Sequence, residues 1–283
     1  MKQNTQEWLD FRRNKIGASD AAAIMGISPW VTRYQKWEEK IYGKTQAQNG
    51  AMSRGSYYEQ EARESFEKEF GVSVMPKVIV SSEREWQMAS LDGISFDGTV
   101  FTEIKVPNQE AHNLAKKGIV ADYYITQIQH QYSVDSNLKQ GLYSSYCPKA
   151  KETVIVEVKK DEFYIEQMLE EELKFYQLMV NMTPPELCDR DYIMREDSAW
   201  NQKAQKWKEI KDYIKSMEAN EEKIRSELIN MTDGQSTKGG GIRVTRSVAK
   251  GQVNYKAIPE LMCVDLEAYR KEPAERWTLA PCK

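Results

Sequence analysis

Asp92, Glu103 and Lys105 are the residues whose types and spacing best suit chemistry on a phosphodiester. Between the two acids lies Asp97-Gly98, the strongest hairpin signal in the chain. If Asp97-Gly98 is a two-residue turn, Phe96 pairs with Thr99. The same register sets Asp92 opposite Glu103, with Cβ atoms roughly 5 Å apart. Lys105 then points to the face of Glu103, while Ile104 turns to the other side. Two carboxylates so opposed repel unless a cation lies between them, and a hard divalent ion meets that need. One or two such ions on carboxylates can activate a water and neutralise a scissile phosphate, with a lysine orienting the water or offsetting charge. A bulge would spoil this register. Taken alone, Glu-x-Lys on a hairpin also fits a surface turn whose charges only face solvent.

The composition narrows the alternatives. The 283 residues carry a formal net charge of −3, with 40% hydrophobic, 10% aromatic and 29% charged side chains. Both signs are interspersed, as in a folded domain with a sizeable core. A pI near 5.7 argues against coating nucleic acid by bulk electrostatics, so any DNA function must rest on a site. Cys147, Cys188, Cys263 and Cys282 form no C-x-x-C pair, and the only histidines are His112 and His130. A zinc or iron–sulfur framework is therefore disfavoured, and a metal would sit on carboxylates, which suits Mg²⁺ or Mn²⁺. No apolar run approaches the roughly 20 residues of a membrane span. The opening Met1-Lys2-Gln3-Asn4-Thr5 does not read as a signal peptide, so a cytoplasmic location is expected.

The elements that must position these residues follow from punctuation and period. Asn4-x-x-Glu7 reads as a capping box ahead of Trp8, Leu9 and Phe11. Ser19 reads as the N-cap of an Ala-rich turn stopping at Gly26, and Ser28-Pro29 as the start of a helix ended by Gly43. Residues 44–50 read as a loop. Tyr58, Ala62, Phe66 and Phe70 recur at helical spacing up to Gly71. Strands are then expected over 74–80, 86–90, 94–96 and 99–106, helices over 108–117 and 121–136, strands over 141–146 and 153–158, and a helix from Asp161 to about Asn181 closed by Pro184-Pro185. That order predicts an α/β sandwich over residues 1–190. Residues 191–283 read as a mostly helical extension. Trp200, Trp207, Ile214 and Leu228 fall on a seven-residue repeat of one long helix, interrupted at Glu221, with Ile210, Met217 and Ile224 beside them. A Gly-rich hinge over 232–241 and a hairpin of 242–247 with 252–255 follow.

Five ordered motifs then carry a resemblance. They are Trp8-Leu9-Asp10-Phe11-Arg12 with Gly17-Ala18-Ser19-Asp20; Arg54-Gly55 with Glu59-x-x-Ala62; Ser90-Leu91-Asp92-Gly93; Glu103-Ile104-Lys105; and Tyr124-x-x-Gln127-x-Gln129. From about Trp8 to Asn181 the chain resembles the YqaJ-like viral recombinases, which include phage lambda exonuclease. Leu91 stands where that family usually has proline. The resemblance implies a PD-(D/E)XK, restriction-endonuclease-like core, a central mixed sheet flanked by helices. It implies Asp92, Glu103 and the Ile104 carbonyl as metal ligands, Glu59 supporting a second metal or its water, and Lys105 positioning or activating the attacking water. Gln127 matches an active-site glutamine, and Arg12, Ser19 and Ser90 match a pocket for a 5′ phosphate. Each has a plainer reading: Ser56-x-x-Glu59 is also a capping box, Gln127 fits an outer helix face, Ser19 could be only a cap, and Arg12 could be only solvated. Gln129, His130 and Gln131 read as helix-surface residues, with His130 more structural than ligating. A helix N-terminus capped by serine favours an anion, and arginine forks onto phosphate. Alternation along a strand puts Ser90 on the face of Asp92.

The activity so implied is a Mg²⁺-dependent 5′-to-3′ exonuclease on double-stranded DNA ends, phage or prophage encoded. It would form toroidal trimers and leave 3′ overhangs for a single-strand annealing protein. An endonuclease or repair nuclease on the same fold is the alternative, and a non-catalytic DNA-binding protein the second. Arg243, Arg246 and Lys250 could touch DNA, although a solvated charged edge explains them equally.

Overall fold

In a computed structural model, which describes residues 5–43 and 50–247, the chain divides into two units, Met1–Ile193 and Met194–Lys283. The first begins with helix α1 (Gln6–Arg13), whose N-cap is Thr5, accepting from the Trp8 N–H; the expected cap Asn4 lies outside the described residues. A two-residue strand β1 (Ile16–Gly17) leads into α2 (Ala18–Ile24). Gly17 caps α2, so Ser19 sits inside its first turn rather than at its cap. Helix α3 (Arg33–Tyr42) starts four residues later than Ser28-Pro29 suggests, because Thr32 and Gln35 form the capping box. Gly43 ends it at φ 68°. Of the expected 44–50 loop, 44–49 lie outside the described residues and Gly50 opens α4 (Gly50–Phe70). Ser56 is therefore mid-helix and caps nothing.

The sheet follows. Strands β2 (Val74–Val80), β3 (Gln87–Ser95) and β4 (Val100–Lys105) form the antiparallel meander, and β3 runs unbroken where two short strands were expected. Helix α5 (Gln109–Ala115) and helix α6 (Asp122–Val134) precede β5 (Gln140–Cys147), β6 (Glu152–Val158) and α7 (Glu162–Val180), which Asp161 caps. The strand order is β1-β3-β4-β5-β6, with β2 on the other edge of β3. β1 and β5 run parallel to β3 and β4 respectively, so the sheet is mixed. Helices α5 and α6 pack on β5, and α6 also contacts β3, α2 and α7, while α4 packs on β4, β5 and β6. This is the expected α/β core with helices flanking a mixed sheet.

The hairpin carries the expected register with a different turn. Gly93 pairs with Thr102 and Ile94 with Phe101, as the expected register has them, and the ladder stops just short of Asp92 and Glu103. The strands end at Ser95 and Val100, however, so the loop has four residues and Phe96 is exposed rather than paired with Thr99. Asp97 accepts the Thr99 N–H at 3.1 Å, and Gly98 takes φ 73°. On the other edge, Met75 pairs with Ile94 but Lys77 with Leu91. Two residues of β3, Asp92 and Gly93, thus face Pro76 alone. Proline has no N–H to give a ladder, and a bulge is one of its few places in a sheet. The bulge breaks the alternation: Ala89, Leu91 and Ile94 all enter one core cluster. Alternation is regular through Ala89, Ser90 and Leu91, and the break falls at Asp92 and Gly93.

The second unit contains the 33-residue helix α8 (Ser198–Asn230), none of whose residues is buried; Trp200, Ile210, Ile214, Met217 and Ile224 are all exposed. The expected hinge is instead a small hairpin of β7 (Thr237–Gly239) and β8 (Ile242–Val244), turned at Gly240-Gly241 with both glycines at positive φ. Ile242–Val244 thus pairs backwards, and the expected partner 252–255 lies outside the described residues, as do Lys250 and the tail.

A test of the bulge is Gly93. A Cβ there would lie 2.5 Å from Val74 Cγ2 and 2.9 Å from Thr102 Cγ2, both on stiff β-branched side chains. Gly93→Ala should destabilise the fold by about 1–3 kcal/mol, read as a lower urea midpoint at unchanged m-value.

Candidate active site

The site lies where β3 forks. β1 pairs with positions 87 and 88 of β3, β4 joins the same edge at 93 and 94, and Asp92 stands just before that junction. Its Oδ2 accepts the Ile104 N–H at 2.9 Å, so a side chain takes a main-chain donor of β4. In a strand, the N–H and C=O of one residue face the same neighbour. The Ile104 carbonyl therefore faces the same side as the N–H held by Asp92. The Ile104 side chain packs with Ala62 and Tyr146, on the α4 side.

Glu103 is 1% exposed, and both its carboxylate oxygens have partners. Its Oε1 accepts from Gln127 Nε2 at 2.6 Å and lies 2.5 Å from Lys105 Nζ, while Oε2 accepts from Gln131 Nε2 at 2.6 Å. Lys105 Nζ also stands 5.4 Å from the centroid of Tyr124, whose ring stacks on Tyr143. Burial, then the neighbouring Glu103 carboxylate, pushes Asp92 up to about 7, against the pull of Lys105 and the Ile104 N–H. Burial works against the Lys105 ammonium, but Glu103 and Asp92 outweigh it and hold the lysine above its ordinary range.

Glu59 stands further out. It is bound to Arg63 Nη2 at 2.9 Å on its own helix, and it is the weakest of the charges acting on Asp92. Arg63 Nε in turn donates to the Asp92 main-chain oxygen at 3.2 Å. Among the described residues, no group of three or more His, Cys, Asp or Glu side chains converges as a metal cage. A buried Glu103 and a half-buried Asp92 whose proton affinity Glu103 helps raise nevertheless fit a hard cation that completes its shell with a main-chain carbonyl and water. Oε1 of Glu103 already has two donors, leaving a lone pair on Oε2 as the free acceptor.

The three predicted phosphate residues also come together. Arg12 Nη2 donates to Ser19 Oγ at 2.6 Å and to Asp20 Oδ1 at 2.9 Å. Its guanidinium lies 5.2 Å from the Trp8 ring centroid, and Trp8 Nε1 donates to Ser90 Oγ at 3.3 Å. Trp8 is thus the link between Arg12 and Ser90, a role no spacing rule singles out. Asp20 is the second residue that sequence reasoning missed. Wholly buried, it meets Arg12, Lys36 at 3.3 Å and Lys40 at 2.6 Å, and it accepts the Gly17 N–H at 2.9 Å. Burial alone would raise its pKa, but Lys40, Arg12 and Lys36 hold the carboxyl well below the usual range. Burial also drops Lys40 to about 8, against the pull of Asp20. The start of α2 is therefore already served by an aspartate, and the serine-capped helix end expected as an anion site is absent.

Helix α6 corrects a further expectation. Gln129, His130 and Gln131 are buried, not on the helix surface, because α6 is covered by the sheet on one side and by α2 and α7 on the other. Gln129 Nε2 donates to the Lys159 carbonyl at 2.7 Å; His130 binds Glu172 at 2.6 Å and the Met88 carbonyl at 2.9 Å. His130 is structural, as expected. Gln127 faces Glu103 rather than solvent.

Comparison with known proteins now bears on this geometry. Residues 7–137 match the YqaJ-like viral recombinase domain. The chain is 26% identical over 181 residues to the uncharacterized protein YqaJ of Bacillus subtilis (strain 168), covering 62% of this chain and 56% of that protein. The match thus spans little more than half the length of that curated relative. Among solved structures, the alkaline exonuclease LHK-Exo of Laribacter hongkongensis superposes at a TM-score of 0.55 with 28% identity, over 63% of this chain and 94% of that one. LHK-Exo in complex with dAMP gives the same TM-score, 0.55, at 27% identity. The matched span, 7–137, contains Arg12, Ser19, Glu59, Ser90, Asp92, Glu103, Ile104, Lys105 and Gln127.

Two outcomes test the site's electrostatics. Removing Asp20 leaves buried cations unpaired, so Asp20→Ala should cost about 3–5 kcal/mol in denaturant unfolding. The raised pKa of Asp92 means that its ionised form opposes folding. That penalty sets in as pH rises past the unfolded value and is complete above about 7. Asp92→Asn should therefore raise the metal-free Tm at pH 8 and leave it nearly unchanged near pH 4; a gain confined to acid would contradict the assigned direction.

Proposed function

We propose that this protein is a divalent-metal-dependent exonuclease that degrades one strand of double-stranded DNA from its 5′ end. The observation that carries the reading is the buried Glu103 beside the half-buried Asp92 at the fork, with Lys105 on Glu103, in a span that resembles the YqaJ-like domain, on a fold shared with LHK-Exo. The mononucleotide dAMP bound by LHK-Exo is the kind of product an exonuclease releases, which supports the exonuclease over an endonuclease.

Mg²⁺, with Mn²⁺ as substitute, would be held by Asp92, Glu103 and the Ile104 carbonyl, and would neutralise the scissile phosphate and acidify the attacking water. The chain's own groups do the rest. Lys105, held protonated by its two acidic neighbours, is a donor: it orients the water or stabilises developing charge rather than removing a proton. Gln127 and Gln131 hold the Glu103 carboxylate in one orientation. Glu59 acts at the rim, through water, and exchanges Arg63 for that role. Arg12, Ser19 and Ser90 form the 5′-phosphate pocket, with Trp8 backing the guanidinium and Asp20 fixing it from behind. A terminal monophosphate carries more charge than an internal diester, and charge-assisted bonds are about twice as strong as neutral ones; the pocket therefore selects ends. The reading extends to a homotrimer around the duplex and to a single-strand annealing protein that takes the 3′ overhang, both implied by the family resemblance. Among the described residues no helix is long and apolar enough to cross a membrane, and a cytoplasmic place of action is part of the proposal.

Lys105→Ala should lose at least about a hundredfold in nucleotide release from linear duplex, on the scale of losing one positioned charge-stabilising group, while keeping its fold. Wild type should spare a covalently closed circle; nicking of that circle would transfer the reading to an endonuclease. Arg12→Ala should slow digestion of 5′-phosphorylated duplex much more than that of 5′-hydroxyl duplex. A mutant that keeps the full preference would displace the pocket.

A further inference from the structure

Trp30 is an exposed indole on a mount built to hold it. It is 56% exposed. The turn that presents it is fixed from three sides. The Ser28 hydroxyl accepts from the N–H groups of Trp30 and Val31 at 3.3 and 3.2 Å. Arg190 forks onto the Ser28 and Pro29 carbonyls at 2.9 and 3.0 Å, and Thr32 donates to Asp191. Pro29 adds a fixed φ. A ring left half in water gains little from burial, so this degree of bracing is not explained by packing alone.

The surroundings give it a direction. The indole meets Tyr123 edge-on at 4.7 Å and Tyr124 at 6.4 Å, and Tyr124 is the ring over which the Lys105 ammonium sits. Trp30 is thus two ring contacts from the lysine of the proposed centre. Nucleobases stack on such faces without regard to sequence, which suits an enzyme that digests any strand.

We propose that Trp30, buttressed by Tyr123, is a stacking platform for a nucleobase at the end of the DNA, holding the strand while its terminal phosphodiester reaches Lys105. The inference rests on the nuclease reading. The full chain is mixed, in EDTA so that nothing is cut, with 5′-phosphorylated duplexes carrying 2-aminopurine at the first, second or third nucleotide of the 5′-ended strand. Wild type should quench the fluorophore at one of these positions beyond the others. Trp30→Ala should abolish that quench and weaken duplex binding about tenfold, the lower part of the range for a base–aromatic stack; Trp30→Phe should keep most of both, and Trp30→Leu, apolar but without a π face, should not. Equal quenching in wild type and Trp30→Ala overturns the platform, as does no position-specific quench in wild type, which is informative even if a variant misfolds. Nucleotide release from linear duplex with Mg²⁺, measured on the same wild-type preparation, separates the two ideas: release without a Trp30-dependent quench sinks the platform alone, and no release sinks the nuclease reading.

Discussion

One extra residue in β3 is the constraint on which the site depends. Asp92 and Gly93 stand against the single Pro76, and the bulge turns the Asp92 side chain to where the Ile104 N–H would otherwise look for a strand partner. The carboxylate thus replaces a rung of the ladder. β3 and β4 can part at that point without leaving a buried donor unsatisfied, a condition sheets rarely escape. Glu103 and Lys105 then project into the opened space while β4 stays anchored to β5 along its whole length. Gly93 is needed because the compressed side of the bulge has no room for a side chain.

Around that fork the protein holds charge in two different ways. At Asp20 the compensation is complete within the chain: a buried carboxylate meets three cations, and Lys40 gives its remaining donors to the Arg12 and Lys15 carbonyls at 3.1 and 2.7 Å. Such a cluster is rigid and closed. At Asp92 and Glu103 the compensation is partial, with one ammonium for two acids, and the shortfall appears as the raised proton affinity of Asp92. A closed charge cluster steadies a guanidinium, whereas an open one invites a cation. The two lie on neighbouring elements of one domain, joined through Trp8.

Much of this was legible in the order of residues. Asp97-Gly98 located the hairpin, and its register survived a turn twice the expected length, since Gly93 still pairs with Thr102 and Ile94 with Phe101. Asp92, Glu103, Lys105 and Gln127 were all found by motif. What escaped was whatever depends on convergence from distant segments. β1 is too short to show a period, yet it pairs the α1–α2 corner with β3. Asp20 gathers partners from positions 12, 36 and 40, which no local pattern connects. Gln129, His130 and Gln131 looked like a solvent face because polar side chains usually are one; only the helices packed on both sides of α6 make them interior. The bulge was anticipated as a hazard to the register, yet Pro76, the residue that marks it, sits on the other strand.

The buried polar column of α6 has a consequence for how this domain can change over generations. Thr126, Gln129, His130 and Gln131 each have a named partner on a different element: Tyr164, Lys159 and Asp161, Glu172 and Met88, and Glu103. A greasy helix can creep along its axis or roll and find a comparable fit. This one cannot, since a slip of one residue turns the helix by about 100° and strands every one of those groups at once. The helix behaves as a key with several teeth cut for separate wards. Drift in its neighbours must therefore be compensated elsewhere, and the orientation of Glu103 is inherited from the register of an entire helix.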